Sequence, residues 1–200
     1  MSLGEAMFTQ RAIRRMKPDP IPVEDLHTIV DAAVKAPNGG NKQPGRFLVL
    51  TEKPKLQEFG KLYHEAWWAK RRDHEGWLSP ADVPSDNKNY QSAMKFADEF
   101  KDVPCVVLAL APAGTQLQSV MPSVQNLLLA ARGLGIGSTL TMLHPQVIDR
   151  VRELLAIPAD VDIMCCLPLG YPRGNFGPTS RLPTSQTTFF NAWGSPPPWK

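Results

Sequence analysis

Three stretches of this 200-residue sequence carry side chains whose types and spacing could do chemistry. The first is TQRAIRRMK, residues 9–17, with Arg11, Arg14, Arg15 and Lys17. The residues from 4 to 15 have the pattern of a short helix. On such a helix Arg11 and Arg14 are neighbours at i,i+3, and Arg11 and Arg15 at i,i+4. Two guanidinium forks on one face suit a phosphate; the same pattern also describes a solvated basic face. The second stretch is KAPNGGNKQPGRFLVL, residues 35–50. Its Asn and Gln side chains offer both donors and acceptors, and its glycines allow a ligand close to the backbone. A ring with an amide-like edge would fit there, and so would a plain polar loop with an Asn cap. The third is PLGYPRGNFGPTSRLP, residues 168–183, in which Gly170 ends a strand-like run and Arg173 and Arg181 follow. Arg181 is either a second phosphate ligand or a solvent-exposed arginine.

Other chemistries find little support. The glycines of LGIGSTLT, Gly135 and Gly137, follow a helix and precede a strand. A dinucleotide-binding loop needs the opposite order, so this is a helix stop followed by a closely packed strand. The four histidines stand in unrelated contexts, and no His, Cys, Asp or Glu cluster has metal-ligand spacing. The three cysteines, Cys105, Cys165 and Cys166, lie in apolar runs and read as buried, reduced thiols. A chain short of acid–base groups but holding several anion-binding candidates suggests that a bound cofactor performs the reaction.

Composition sets the frame. Hydrophobic residues make up 42% and charged residues 20%, which is the balance of an ordinary globular domain. A net charge of +3 is too weak a bias to imply nucleic acid, yet it tolerates an anionic ligand. The N-terminus lacks the apolar core of a secretory signal, and no segment is apolar over the length of a membrane span, so a cytoplasmic protein is expected.

The elements that must position these residues follow from periodicity. Pro18, Pro20 and Pro22 end the first helix. Leu26, Ile29, Val30, Ala33 and Val34 then mark the apolar face of a second, which stops near Pro37. RFLVL is a strand candidate, and residues 54–72 form a helix with Leu56, Phe59, Leu62 and Tyr63 as its stripe. Residues 73–88 lack periodicity and read as a mobile loop, with a further short helix at 89–100. VPCVVLAL (103–110) is a strand buried on both faces. A strongly apolar helix ends at the following glycines. IGSTLTML is read as a strand, residues 145–156 as a helix and VDIMCCLPLGYP as the last strand. The class is α+β or α/β around a central sheet, in one domain over 1–200 with a variable excursion at 64–100.

Taken together and in order, TQRAIRRMKPDPIP, APNGGNKQP, VQNLLLAARGLGIGSTLT, LPLGYP and SRLP resemble the FMN-dependent nitroreductase family. The resemblance implies an α+β fold with a mixed sheet flanked by helices, built as an intertwined homodimer with FMN at the subunit interface. It implies that Gln10, Arg11, Ala12 and Arg14 line FMN and that Arg181 clamps its phosphate. Pro37, Asn38, Gly39, Asn41 and Gln43 would come from the other subunit, and Leu140 and Thr141 would present backbone groups near the ring. Gly170 is counted with the cofactor-lining positions. The implied reaction is ping-pong, with NADH or NADPH passing hydride to the flavin N5 and a small organic acceptor, nitroaromatic or quinone-like, taking it up. No catalytic side chain is required. Three positions depart from the family pattern: one basic residue is Gln10, Asn38 stands where Ser is frequent, and Gly45 replaces an aromatic. Other flavin reactions on the same fold (dehalogenation, dehydrogenation, flavin destruction) and a non-enzymatic flavin-binding protein are the alternatives. Tyr63, Trp67, Trp68 and Trp77 form either an aromatic lid over the pocket or the core and rim of a helix.

Overall fold

The computed structural model describes residues 1–199. The most hydrophobic segments become the centre. Strand β2 (Cys105–Pro112) pairs antiparallel with β1 (Arg46–Leu50) on one side and with β4 (Val161–Gly170) on the other. The two-residue β3 (Gly137–Ser138) pairs antiparallel with β4, giving the order β1-β2-β4-β3. The parallel element of the sheet comes from the backbone bridge between Ala12 and Ser138.

Helices cover both faces of this sheet, and the strand residues alternate between them because strand side chains have a period of two. Val106, Leu108 and Leu110 pack with α3 (Lys53–Glu75), α4 (Lys88–Glu99) and α6 (Pro145–Leu155). Cys105, Val107 and Ala109 pack with α2 (Val23–Val34) and α5 (Met121–Gly133). Cys165 and Cys166 are divided in the same way, one thiol to each core. All three cysteines are free and buried. Burial pushes the Cys105 and Cys165 thiols up to about 12, and Cys166 well above its ordinary value. Among the described residues, no helix is long and apolar enough to cross a membrane.

The first helix is shorter than its pattern predicts. α1 spans Leu3–Thr9, with Ser2 capping it through the Glu5 N–H, and Gln10 already has extended dihedrals. The chain from Gln10 to Lys17 then runs along the sheet edge instead. The Ile13 N–H donates to the Ser138 carbonyl at 2.9 Å and the Lys17 N–H to the Tyr171 carbonyl at 2.7 Å. These partners satisfy the backbone as a helix would, and they let Ile13 and Met16 point into the core. The helical i,i+3 face for Arg11 and Arg14 is therefore absent.

Two further expectations change. The run 136–143 yields only the two-residue β3 and an isolated bridge between Thr141 and Cys166, because residues 139–143 turn away to line a cavity. Residues 73–88 are more ordered than a loop. α3 continues to Glu75 and stops at Gly76 with φ 75°, a left-handed C-cap. Ser79 and Asp82 then cap a short turn before α4 begins at Lys88. Tyr63 and Trp67 are buried within α3, and Trp68 and Trp77 are half-buried beside it, so these aromatics form the core and rim of a helix.

Close passage of residues 10–17 requires glycine on the sheet. A Cβ at Gly137 would lie 2.7 Å from Ile13 Cγ2, and one at Gly170 would lie 2.9 Å from Met16 Cβ. Gly137→Ala should therefore destabilise the fold by about 1–3 kcal/mol, the usual cost of overpacking. Urea unfolding measures this, and an unchanged midpoint would show that the segment has room to shift.

Candidate functional site

The N-terminal segment and the chain after β4 run side by side. The Arg173 N–H donates to the Arg15 carbonyl at 2.9 Å, and the Arg173 Nε–H to the Met16 carbonyl at 2.8 Å. The Thr179 N–H donates to the Phe8 carbonyl at 3.0 Å, two residues before Arg181. Gly177 lies beside the Arg11 guanidinium. Arg132, buried on α5, ties the same parts together. Its Nε–H donates to Thr9 Oγ1 at 2.8 Å, and its guanidinium lies 3.9 Å above the centre of the Phe176 ring. The loop bearing Arg181 is thereby held against the segment bearing Arg11 and Arg14.

Charge in this region is uncompensated. Neither Arg11 nor Arg14 has an ion-pair partner among the described residues. Arg181 is exposed, and its Nη1–H donates only to the Ser180 carbonyl, at 2.7 Å. Arg11, Ala12 and Arg14 line one cavity together with Pro172 and Asn175. Gln10 is half-buried at the end of α1, where its N–H donates to the Ala6 carbonyl.

Arg14 also lines a second cavity with Tyr63, Trp67, Arg71, Leu140 and Thr141. Leu140 is 43% exposed at its mouth. The Tyr63 hydroxyl and Thr141 Oγ1 are 3.1 Å apart and hydrogen-bonded. Burial pushes the Tyr63 phenol up to about 12, only partly offset by that hydrogen bond. Tyr63 is therefore a neutral group that holds the Thr141 hydroxyl and does not act as a base at ordinary pH.

The amide-rich loop is elsewhere. Asn38, Gln43, Pro44 and Gly45 line a separate cavity with Ser119 and Ser123 on α5's side of the sheet. This cavity shares no residue with the two arginine cavities. Much of the loop's polarity is spent on its own shape. Asn38 Oδ1 accepts from the Gln43 N–H at 2.8 Å, and Asn41 and Gln43 both take φ 51°, a left-handed conformation. Pro37, Gly39 and Asn41 are exposed. Gly170 faces Met16 and Pro104 within the packed sheet edge.

Sequence reasoning passed over Arg71, Lys70 and Phe96, all of which line the second cavity. A usable sign was present, since Tyr63, Trp67 and Arg71 recur at i,i+4 and must share one face of α3. Among the described residues no group of His, Cys, Asp and Glu is placed to hold a metal ion.

The neutral phenol gives a pH prediction. A folded-state value raised from 10 to about 12 leaves its contribution to stability intact below pH 10 and removes it as pH rises towards 12. Near-ultraviolet titration should show one phenol ionising late, and Tyr63→Phe should abolish that step. A titration in which every phenol ionises together, near the ordinary value, would contradict the buried pair.

The chain was compared with known proteins. The Nitroreductase family model matches residues 8–171. An NADH dehydrogenase of Thermus thermophilus is 29% identical over 202 residues, covering 92% of this chain and 94% of that protein. An iodotyrosine deiodinase of Thermotoga neapolitana is 29% identical over 165 residues, covering 82% and 84%. Among solved structures, the FMN-dependent nitroreductase NfnB of Mycobacterium smegmatis, in complex with NADPH, superposes with a TM-score of 0.73 at 21% identity, covering 96% of this chain and all of that one. With the family model spanning most of the sequence and the architecture shared, the chain belongs to the nitroreductase family.

Proposed function

We propose that this protein is an FMN-dependent NAD(P)H oxidoreductase of nitroreductase type that works as a homodimer. The observation that carries this reading is the convergence of Arg11, Arg14 and the Arg181 loop, all without carboxylate partners among the described residues, beside the cavity edged by Leu140 and Thr141. That donor set fits FMN, which has a doubly charged phosphate at one end and a polar-edged ring at the other. Gln10, Arg11, Ala12, Arg14 and Arg181 would hold the phosphate and polyol. The backbone at Leu140 and Thr141 would face the ring, with Gly170 keeping the N-terminal segment close to the sheet.

The loop of Pro37, Asn38, Gly39, Asn41 and Gln43 would complete the site from a second copy of the chain. Its separation from the arginine cavities within one chain supports that arrangement. FMN bound there supplies two-electron transfer between NADH or NADPH and a small organic acceptor such as a nitroaromatic or a quinone. The protein's own part is to bind and orient the ring, to cover it from water, and to hold the Thr141 hydroxyl through neutral Tyr63. Reductive dehalogenation is a second reading, supported by the 29% identity to a deiodinase and separable by the acceptor profile.

The purified protein should carry flavin absorbance that bleaches when NADH or NADPH is added without air. Bands that do not bleach would indicate a flavin-binding protein, and a protein unable to take up FMN would overturn the proposal. Arg181→Ala should weaken FMN binding by roughly tenfold to a hundredfold, the range of one charge-assisted hydrogen bond. Unchanged affinity would remove Arg181 from the phosphate site. A strict monomer that still held FMN tightly would refute the shared site.

A further inference from the structure

The cavity edged by Leu140 and Thr141 carries more positive charge than its surroundings neutralise. Arg14, Lys70 and Arg71 line it, and no carboxylate does. Arg71 Nη1 pairs with Glu75 Oε1 at 2.9 Å, one turn further along α3. Arg14 and Lys70 have no ion-pair partner among the described residues, so two positive charges remain.

The arginine of the pair is fixed and incompletely satisfied. Its guanidinium lies 5.7 Å from the centre of the Trp67 ring and 5.2 Å from that of Tyr90. Its side chain is only 11% exposed, and Arg71 Nε and Glu75 Oε2 are both buried without a hydrogen-bond partner. Buried polar atoms in native proteins are nearly always paired, so this end of the cavity retains capacity to bind a polar group. The remaining walls are flat and aromatic, formed by Tyr63, Trp67 and Phe96. Flat walls take a ring, and the surplus cations take a charge on its edge.

We propose that this cavity selects a planar aromatic co-substrate bearing an anionic substituent, with Lys70 and Arg71 as the specificity-determining residues. The proposal rests on the flavin reading above, because Arg14, Leu140 and Thr141 belong both to this cavity and to the residues assigned to FMN. A neutral isostere would leave the same cations desolvated and unpaired, and that difference is the source of the discrimination.

The test uses FMN-loaded protein without a reductant, so that binding is read apart from turnover. Calorimetric titration compares 4-nitrobenzoate with its methyl ester, which has the same ring and no charge. The unmodified protein should bind the carboxylate at least about tenfold more tightly. In Lys70→Gln the preference should fall to about threefold or less, with FMN content retained. The double variant Arg71→Gln/Glu75→Gln removes the buried pair as a unit and should have the same effect. Equal binding of the two probes, or a preference that survives both variants, overturns the proposal while leaving the flavin reading intact. Loss of FMN from Lys70→Gln would place these cations against the flavin and also overturn it. A parallel loss of preference for NADPH over NADH would assign the charge to the donor's 2′-phosphate, again overturning the acceptor assignment. An unmodified protein that takes up no FMN defeats both readings at once.

Discussion

The site depends on how closely one stretch of backbone crosses the edge of the sheet. Residues 10–17 lie against β3 and the end of β4 because Gly137 and Gly170 leave no side chain in the way. Ile13 and Lys17 secure the crossing with hydrogen bonds to Ser138 and Tyr171. Everything assigned to phosphate recognition hangs on that track. Arg11 and Arg14 are carried by it, and the chain leading to Arg181 is hydrogen-bonded alongside it. The two glycines contribute to the site by permitting contact between other residues, without presenting a group of their own.

The sheet core explains why the site can be built from irregular segments. β2 is buried along almost its full length and is sandwiched between two helix layers. Packing of this kind resists small displacements, so loops attached to it inherit its precision. Arg132 extends the same rigidity outward. A buried cation stacked on Phe176 and bonded to Thr9 joins α5, the end of α1 and the C-terminal loop. The cations of the candidate phosphate site are thus held by one connected piece of structure rather than by independent arms.

Much of this was legible in the sequence, though not all for the same reason. The apolar run of β2, the adjacent cysteines facing opposite cores, the amphipathic α2 and the glycine stop of α5 follow from local patterns that the tertiary structure reinforces. The ordered motifs led to the family. The first helix was over-extended because residues 10–15 have acceptable helical propensity, and only distant partners, Ser138 and Tyr171, outbid it. The excursion at 73–88 was under-read because its order comes from Ser79–Asp82 capping and from packing of Trp77 on Tyr90, neither of which leaves a period. The cationic cavity was missed because its members are separated by more than fifty residues, from Arg14 through Lys70 to Thr141. No spacing rule connects positions that only the fold brings together.

The loop of residues 37–43 is tightly self-bonded, with two non-glycine residues held at positive φ and Asn38 bridging to the Gln43 backbone. Its conformational entropy is surrendered when the chain folds, so little is left to lose when another surface meets it. Such a loop behaves as a template rather than a clasp. What docks on it is selected by shape at first encounter, and association there is governed by fit and diffusion instead of by slow rearrangement after contact.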